Sequence, residues 1–287
     1  MTFSPKSAAL EGFRLTRREP LLLLAITIAY VVVTAFVFLV DPTGVRQVLN
    51  LVASIAPGTQ PSVEDQMALM QAYSRLGAII ALPGFLLGVL CQTAISRAAL
   101  GLPLSKLGYF QPGRDQLKVL ILSALIWLLF VGSSVIGLVL VGVLTGMGAL
   151  IGPIAVLPAA IVAGGLICAL IWLSLKLSLA VPFTVQNKRV ALRESFNATK
   201  GHCWPLFGMA LLAMLLSIAV SILLSLALTP FIYLTGDLEV FQNTTAITGP
   251  VVVAVGVWIL VNSINSAAQM IILYAPFTAA WKAINEG

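Results

Sequence analysis

No charged side chain occurs between Lys118 and Lys176. A hydrocarbon core about 30 Å thick is crossed by a helix of about 20 apolar residues, so this run is long enough for two crossings. Four glycines and a proline lie in the middle of the run: Gly142, Gly146, Gly148, Gly152 and Pro153. They predict a tight hairpin between two helices. The sequence is therefore predicted to be an integral membrane protein.

The composition agrees with this prediction. Sixty per cent of the residues are hydrophobic and 9% are charged, whereas a soluble domain carries about 25% charged residues to cover its surface. The chain cannot cover a water-facing exterior with so few charges. A soluble enzyme, a disordered tail and a secreted disulfide scaffold are excluded as classes.

Six transmembrane helices are predicted, near residues 21–40, 76–96, 119–143, 154–181, 204–228 and 251–274. The first is too long for a signal-peptide core and has no small-residue cleavage site after it, so we expect it to remain as a helix. The predicted fold class is all-α. It is a polytopic bundle of six transmembrane helices in a single membrane domain, residues 1–287.

The distribution of lysine and arginine predicts the orientation. Fourteen of the 16 basic residues fall on the side of the N-terminus, and only Arg46 and Arg75 fall on the other side. Because basic residues are concentrated on the cytoplasmic side of membrane proteins, both termini are expected to be cytoplasmic. The predicted partners are membrane lipids, with anionic headgroups of the cytoplasmic leaflet attracted to the basic residues, and not nucleic acid.

The large loop between the first two helices is predicted to be partly helical. Five apolar residues follow at helical spacing: Val45, Val48, Leu49, Val52 and Ile55. They suit a short helix in the outer interface that ends at residues 56–58. Ser62 and Asp65 then have the spacing of a capping box at the start of the helix that leads into the second span.

Two polar segments of the sequence resemble each other. Residues 11–17, which begin Glu11-Gly12-Phe13, precede the first span, and residues 194–200, which begin Glu194-Ser195-Phe196, precede the fifth. Each contains a threonine five residues after its glutamate, and the fourth and sixth spans share a (Ala/Tyr)-(Val/Ala)-Pro-Phe-Thr inner end, at residues 180–184 and 274–278. The matching residues form a candidate structural motif: Glu11, Phe13, Thr16, Glu194, Phe196, Thr199, Pro182 and Pro276.

The predicted unit is a basic amphipathic helix on the cytoplasmic side followed by two spans, used about three times in parallel. The approximate repeats are 1–98, 99–189 and 190–287. In the middle copy only Tyr109-Phe110 stands near the phenylalanine position, and no glutamate is present. We expect each glutamate to pair with a nearby base, Glu194 with Lys188 or Lys200 for example, and to hold its helix against the bundle. A solvated acid on the helix surface is the alternative.

The segment from Pro182 through Arg193-Glu194-Ser195-Phe196 to Thr199-Lys200-Gly201 and Trp204 resembles a known family signature. It is similar to the six-span membrane domain found beside bacterial glycerophosphodiester phosphodiesterases, and to stand-alone inner-membrane proteins of that type. The resemblance implies a six-helix bundle in the bacterial inner (cytoplasmic) membrane with no established chemistry of its own. The soluble phosphodiesterase domain that some relatives carry is expected to be absent.

No catalytic or cofactor site is predicted. His202 is the only histidine, so neither a zinc site nor the paired histidines of a phosphodiesterase can form from histidine. No Asp or Glu lies inside a predicted span, which removes an intramembrane carboxylate pair and a carboxylate proton relay. We therefore expect no enzyme, no metal and no cofactor.

One polar feature lies at membrane depth. Asn262, Asn265, Ser266 and Gln269 share one face of the sixth span, and Lys176 falls at nearly the same depth in the fourth. Lys176 is expected either to extend to the headgroups or to meet the amide stripe in a candidate polar pocket that opens toward the cytoplasmic leaflet. We expect at least the stripe itself to face the bundle.

These observations leave two functions open. The first is a non-enzymatic inner-membrane protein that organises lipid or assists a membrane complex. The alternative is a transporter or lipid translocator that uses the polar pocket on the cytoplasmic half.

Overall fold

The computed structural model describes residues 4–45, 47–48, 62–102, 108–110, 113–151, 156–234 and 249–286. It confirms an all-α fold, with six helices long and apolar enough to cross a membrane. The helices, numbered here in chain order, are α1 Pro5–Ala9, α2 Glu11–Arg18, α3 Pro20–Val40, α4 Val63–Leu100, α5 Arg114–Ile151, α6 Val156–Leu177, α7 Ala180–Asn187, α8 Leu192–Ala198, α9 Cys203–Leu234 and α10 Gly249–Glu286.

The last spanning helix, α10, lies at the centre of the bundle. It packs against α3, α4 and α9 along its length and against α1, α2 and α7 near its C-terminal end, while α5 and α6 pack mainly against each other. One buried cluster joins α2, α3, α4 and α10 through residues that include Leu15, Leu22, Ile95 and Ile271. A second cluster joins α1 to Leu206 and Trp281. The two chain termini therefore lie at the same end of the bundle, which we call the terminal face.

The hairpin between the third and fourth spans differs from the prediction in one respect. Helix α5 continues through Gly142, Gly146 and Gly148 and ends at Ile151, so these glycines lie inside the helix. Gly152 and Pro153 lie outside the described residues. In the same way, α9 continues past Pro230 to Leu234. Gly and Pro are more frequent in transmembrane helices than in soluble ones, and they end a helix less reliably there.

The loop on the opposite face carries a buried carboxylate. Helix α3 ends at Val40 and is capped by Asp41, whose Oδ1 accepts hydrogen bonds from the Gly44 amide at 3.0 Å and from the Thr43 hydroxyl at 2.9 Å. Arg75 of α4 donates to the same oxygen at 2.9 Å, and its Nε lies 2.7 Å from Oδ2. The Gly44 amide, followed by Thr43 and the charge of Arg75, holds the pKa of Asp41 below its ordinary value of 3.8. This ion pair joins the ends of the first two spans.

The rest of this loop contains the predicted cap of α4 and part of the predicted interfacial helix. Ser62 Oγ accepts a hydrogen bond from the Asp65 amide at 3.1 Å and donates to its carboxylate at 2.6 Å, so the predicted cap of α4 is confirmed. Residues 42–45 and 47–48 are helical. The remainder of the predicted interfacial helix, from Leu49 to Ile55, lies outside the described residues.

Asp41→Asn is expected to lower the melting temperature at neutral pH, because it removes the charge that Arg75 and the Gly44 amide hold. A carboxylate with a lowered folded-state pKa contributes stability above its unfolded pKa, and this contribution is lost as pH falls through the folded value. Wild-type melting curves in detergent should therefore converge on those of the variant in strong acid. Glu64→Gln removes one exposed charge from the same face and should leave the curve unchanged; an equal effect of both variants would contradict the assignment.

Candidate functional site

The first amphipathic helix, α2, packs against the bundle at a glycine. In α2 Gly12 is buried against α10, and a Cβ atom at this position would lie 2.7 Å from Ile272 Cα and 3.1 Å from the Ile271 carbonyl oxygen. Leu15, one turn further along α2, is fully buried in the cluster described above. Only a residue without a side chain allows the two backbones to approach this closely.

The second amphipathic helix makes a similar contact with another span. The residue of α8 that corresponds to Gly12 is Ser195, which is fully buried and donates a hydrogen bond to the Lys176 carbonyl at 2.7 Å. If Pro182 is matched to Pro276, Lys176 falls within two positions of the residue matched to Ile272. Both helices therefore place a small residue against the backbone of an even-numbered span.

The two threonines of the motif also make the same hydrogen bond. Thr16 donates to the Gly12 carbonyl at 2.9 Å, and Thr199 donates to the Ser195 carbonyl at 3.0 Å. Pro182 and Pro276 are both buried. These matches accord with the predicted parallel repeat, which remains a prediction: the motif segment of its middle copy is described only in part, at residues 108–110 and from residue 113 on.

Each glutamate of the motif pairs with a nearby base, as expected, although the base at Glu194 is neither of the two named as examples. Glu194 lies 3.6 Å from Arg189, rather than against Lys188 or Lys200, and Glu11 lies 3.7 Å from Arg14 in its own helix. The side chains of both arginines are more than half exposed. Exposed pairs of this kind stabilise a fold little. Gly12 and Ser195, rather than the glutamates, make the contacts that hold the two helices in the bundle.

The middle copy has its own link to the terminal face. The Tyr109 hydroxyl donates to Glu19, at the start of α3, at 2.7 Å. Desolvation, and then the hydrogen bond to Glu19 and the charge of this carboxylate, raise the pKa of Tyr109 to about 12. The phenol therefore stays protonated and keeps donating at physiological pH. Phe110 packs against the α2–α3–α4–α10 cluster.

The docked helices expose basic side chains. The terminal face carries a group of exposed basic residues on α2, on α8 and beside α8, which we call the basic rim: Arg14, Arg17, Arg18, Lys188, Arg189, Arg193 and Lys200. Gly12 and Leu15 of α2 and Ser195 of α8 are buried, so the two helices that carry or flank the rim residues are held against the bundle. Such clusters beside membrane spans attract anionic lipid headgroups.

Lys176 lies in the α8 contact. Its ammonium group lies 5.7 Å from the centre of the Trp172 ring, and Trp172 makes an edge contact with Phe196 of α8. The side chain is 7% exposed. Lys176 is thus joined to the motif helix on one side of α6, and within the described structure its hydrogen-bonding contacts do not include the amide stripe.

Two residues of the amide stripe, Asn265 and Gln269, face the bundle, and their partner is the fifth span. Ser221 of α9 donates to Asn265 at 3.3 Å and accepts a hydrogen bond from Gln269 at 2.6 Å. Asn262 donates to the Trp258 carbonyl of its own helix at 3.0 Å, and Ser266 is half-buried beside them. We call the Ser221–Asn265–Gln269 contact the polar seam. The sequence signal that marks it is a serine every fourth residue in α9: Ser217, Ser221 and Ser225.

Ser221→Ala is expected to destabilise the bundle by about 0.6–1.7 kcal/mol, the range measured for hydrogen bonds between membrane helices. Ser174→Ala is the matched control, because the Ser174 hydroxyl bonds to the Ile171 carbonyl within its own helix. A double-mutant cycle with Gln269→Leu, followed by denaturant unfolding in micelles, measures the coupling. Additive effects would show that the seam contributes nothing to stability.

In the described part of the chain, no three His, Cys, Asp or Glu side chains lie together as metal ligands would. The chain matches no protein-family model, no curated protein and no solved structure. The fold therefore defines the class, a six-helix membrane bundle.

Proposed function

We propose that this chain is a non-enzymatic membrane protein that gathers anionic lipid around its terminal face, and in this way organises lipid or supports a neighbouring membrane complex. The proposal places it in the bacterial inner membrane with both termini cytoplasmic, as the charge distribution and the family resemblance suggest. The observation that carries the proposal is the basic rim on two docked helices. Because the helices that carry these charges are already packed against the bundle, their backbones need no further ordering when lipid binds.

Binding of matched lipids tests this function. The purified protein in neutral detergent is titrated with phosphatidylglycerol and with phosphatidylcholine of identical acyl chains, and binding is followed by native mass spectrometry. The anionic lipid is expected to bind more tightly, and its advantage to shrink as salt rises, because exposed charges are screened. Equal binding of the two lipids at low salt would contradict the proposal.

A lipid translocator is the second candidate, because the amides of the polar seam lie at membrane depth. The seam argues for this function only weakly, since Asn265 and Gln269 already satisfy each other through Ser221. Proteoliposomes separate the two functions. A quencher that reacts only with fluorescent lipid in the outer leaflet should remove about half of the total fluorescence if the protein is an organiser. It should remove more than half if the protein is a translocator, because labelled lipid then moves to the outer leaflet.

A further inference from the structure

A half-open pocket of about 290 Å³ lies between the helices of the bundle, in its half nearer the terminal face. It is lined by α4, α5, the α6–α7 segment, α9 and α10, and is separate from the basic rim and from the polar seam. Its volume is near the lower end of the range for small-molecule sites. The residues that line it come from five of the six spans, so it is a feature of the folded bundle and not of any one helix.

The walls of the pocket combine apolar and uncharged polar groups. The larger apolar side chains on it are Ile126, Phe130, Leu175, Leu177, Val181 and Phe277. The polar ones are Gln92, Ser96, Ser174, Ser178 and Tyr274, and none of the described lining residues is charged. An ionised group buried here would have no partner and would lose much of its hydration free energy. The lining therefore favours an uncharged occupant over an ionised one.

One hydroxyl group in this lining is not used by the protein. The hydroxyls of Ser174 and Ser178 donate to carbonyls of their own segment, and Tyr274 interacts with the Gln92 amide. Ser96 is 3% exposed, lines the pocket, and has no hydrogen-bond partner among the described residues. The Ser96 hydroxyl is not among the fully buried unpaired groups, so it is accessible from the pocket and can bind a ligand oxygen.

The lining has a direction along the membrane normal. Ser96 lies four residues before the end of α4 at the terminal face, roughly 6 Å at 1.5 Å per residue. Phe130 lies 16 residues into α5 from the same face, roughly 24 Å by the same measure. The unused hydroxyl therefore lies near the headgroup level, and an aromatic wall lies deeper. Tyr274 lies 12 residues before the end of α10, roughly 18 Å from the same face, so the unused hydroxyl, rather than the lining as a whole, gives the pocket its direction.

We propose that this pocket binds one uncharged amphiphile, an acyl or alkyl chain with a hydroxyl or carbonyl head, with the head at Ser96 and the chain toward Phe130. Lys176 does not contribute, because its neighbours Ser174, Leu175 and Leu177 line the pocket while Lys176 is on the opposite side of α6. The inference does not depend on lipid binding at the basic rim. The test of lipid binding at the basic rim and the test of this pocket can therefore give opposite results.

Photolabelling with two matched probes tests the proposal. One is a long-chain alcohol with a diazirine near the end of its chain, and the other is the alkyl sulfate of the same chain, which is always anionic. The intact protein in neutral detergent is labelled with each and digested, and the labelled peptides are identified. The alcohol is expected to label peptides of the pocket wall, and the sulfate to label them at least several-fold less.

Variants locate the head. Ser96→Ala is expected to weaken competition by unlabelled alcohol about three- to tenfold, the loss of one hydrogen bond. Ser263→Ala is the matched control, because Ser263 is also buried with an unpaired hydroxyl but does not line the pocket. Ala210→Phe should abolish wall labelling by filling the space, and Ser96→Ala remains decisive if that variant fails to fold. Equal labelling by both probes, labelling confined to the lipid-facing surface, or equal effects of the two serine variants would overturn the proposal.

Discussion

Gly12→Ala is expected to destabilise the protein by about 1–3 kcal/mol, the usual cost of forcing an added carbon into a packed contact. The new Cβ would lie 2.7 Å from Ile272 Cα, a backbone atom of α10 that cannot turn aside as a flexible side chain can. Either α2 or α10 must then shift. Alanine favours helix over glycine by up to about 1 kcal/mol, so a net loss of stability would come from the contact alone.

Gly88→Ala is the matched control. It also lies within a helix, and its added Cβ would meet no heavy atom within 4 Å. Thermal unfolding in detergent should show a lower midpoint for the Gly12 variant and an unchanged or higher one for the Gly88 variant. If the two midpoints move together, α2 is not held to α10 by the close approach at Gly12.

Neutralising three residues of the basic rim has the second large expected effect. The triple variant Arg17→Gln, Arg18→Gln and Arg193→Gln removes exposed charges from both docked helices. A basic residue near an anionic membrane surface contributes about 1 kcal/mol, so three should contribute about 3 kcal/mol, or roughly 100-fold in affinity. Titration of phosphatidylglycerol in neutral detergent at low salt measures this loss.

Two comparisons make the result specific. The corresponding Arg→Lys variants keep the charge and should retain most of the affinity, which separates charge from side-chain shape. All of these variants should melt at the wild-type temperature, because the substituted side chains are exposed. A loss of affinity for phosphatidylcholine as large as that for phosphatidylglycerol would show that the rim does not recognise the anionic headgroup.

The sequence was sufficient to predict the fold class and the six spans. The dominant signals were the charge-free runs and their length, which depend on the bilayer and need no knowledge of neighbours. The cap at Ser62 was also predictable, because its residues lie three apart in the chain. The end of α5 was less predictable from the sequence. Gly142, Gly146 and Gly148 remain helical, because in an apolar environment the backbone N–H and C=O groups are best paired with each other within the helix.

The contacts between helices were harder to predict. The glutamates Glu11 and Glu194 are the conspicuous residues of the repeated motif, yet the docking contacts are made by Gly12 and Ser195, whose importance depends on how closely another backbone approaches. The sequence predicted that the amide stripe lies on one face of α10. The spacing of residues within α10 could not predict that Ser221 of α9 is its partner. Lys176 lies at nearly the same depth as the amide stripe, but its side chain is on the side of α6 that faces α8.

The most direct test of lipid organisation is the lipid content of protein extracted in native membrane discs by a detergent-free polymer. The proposed function predicts that anionic lipid is enriched around the wild-type protein relative to the bulk membrane, and that the enrichment is lost in the Arg17, Arg18 and Arg193 triple variant. Discs with the same anionic fraction as the bulk membrane, for both proteins, would contradict it.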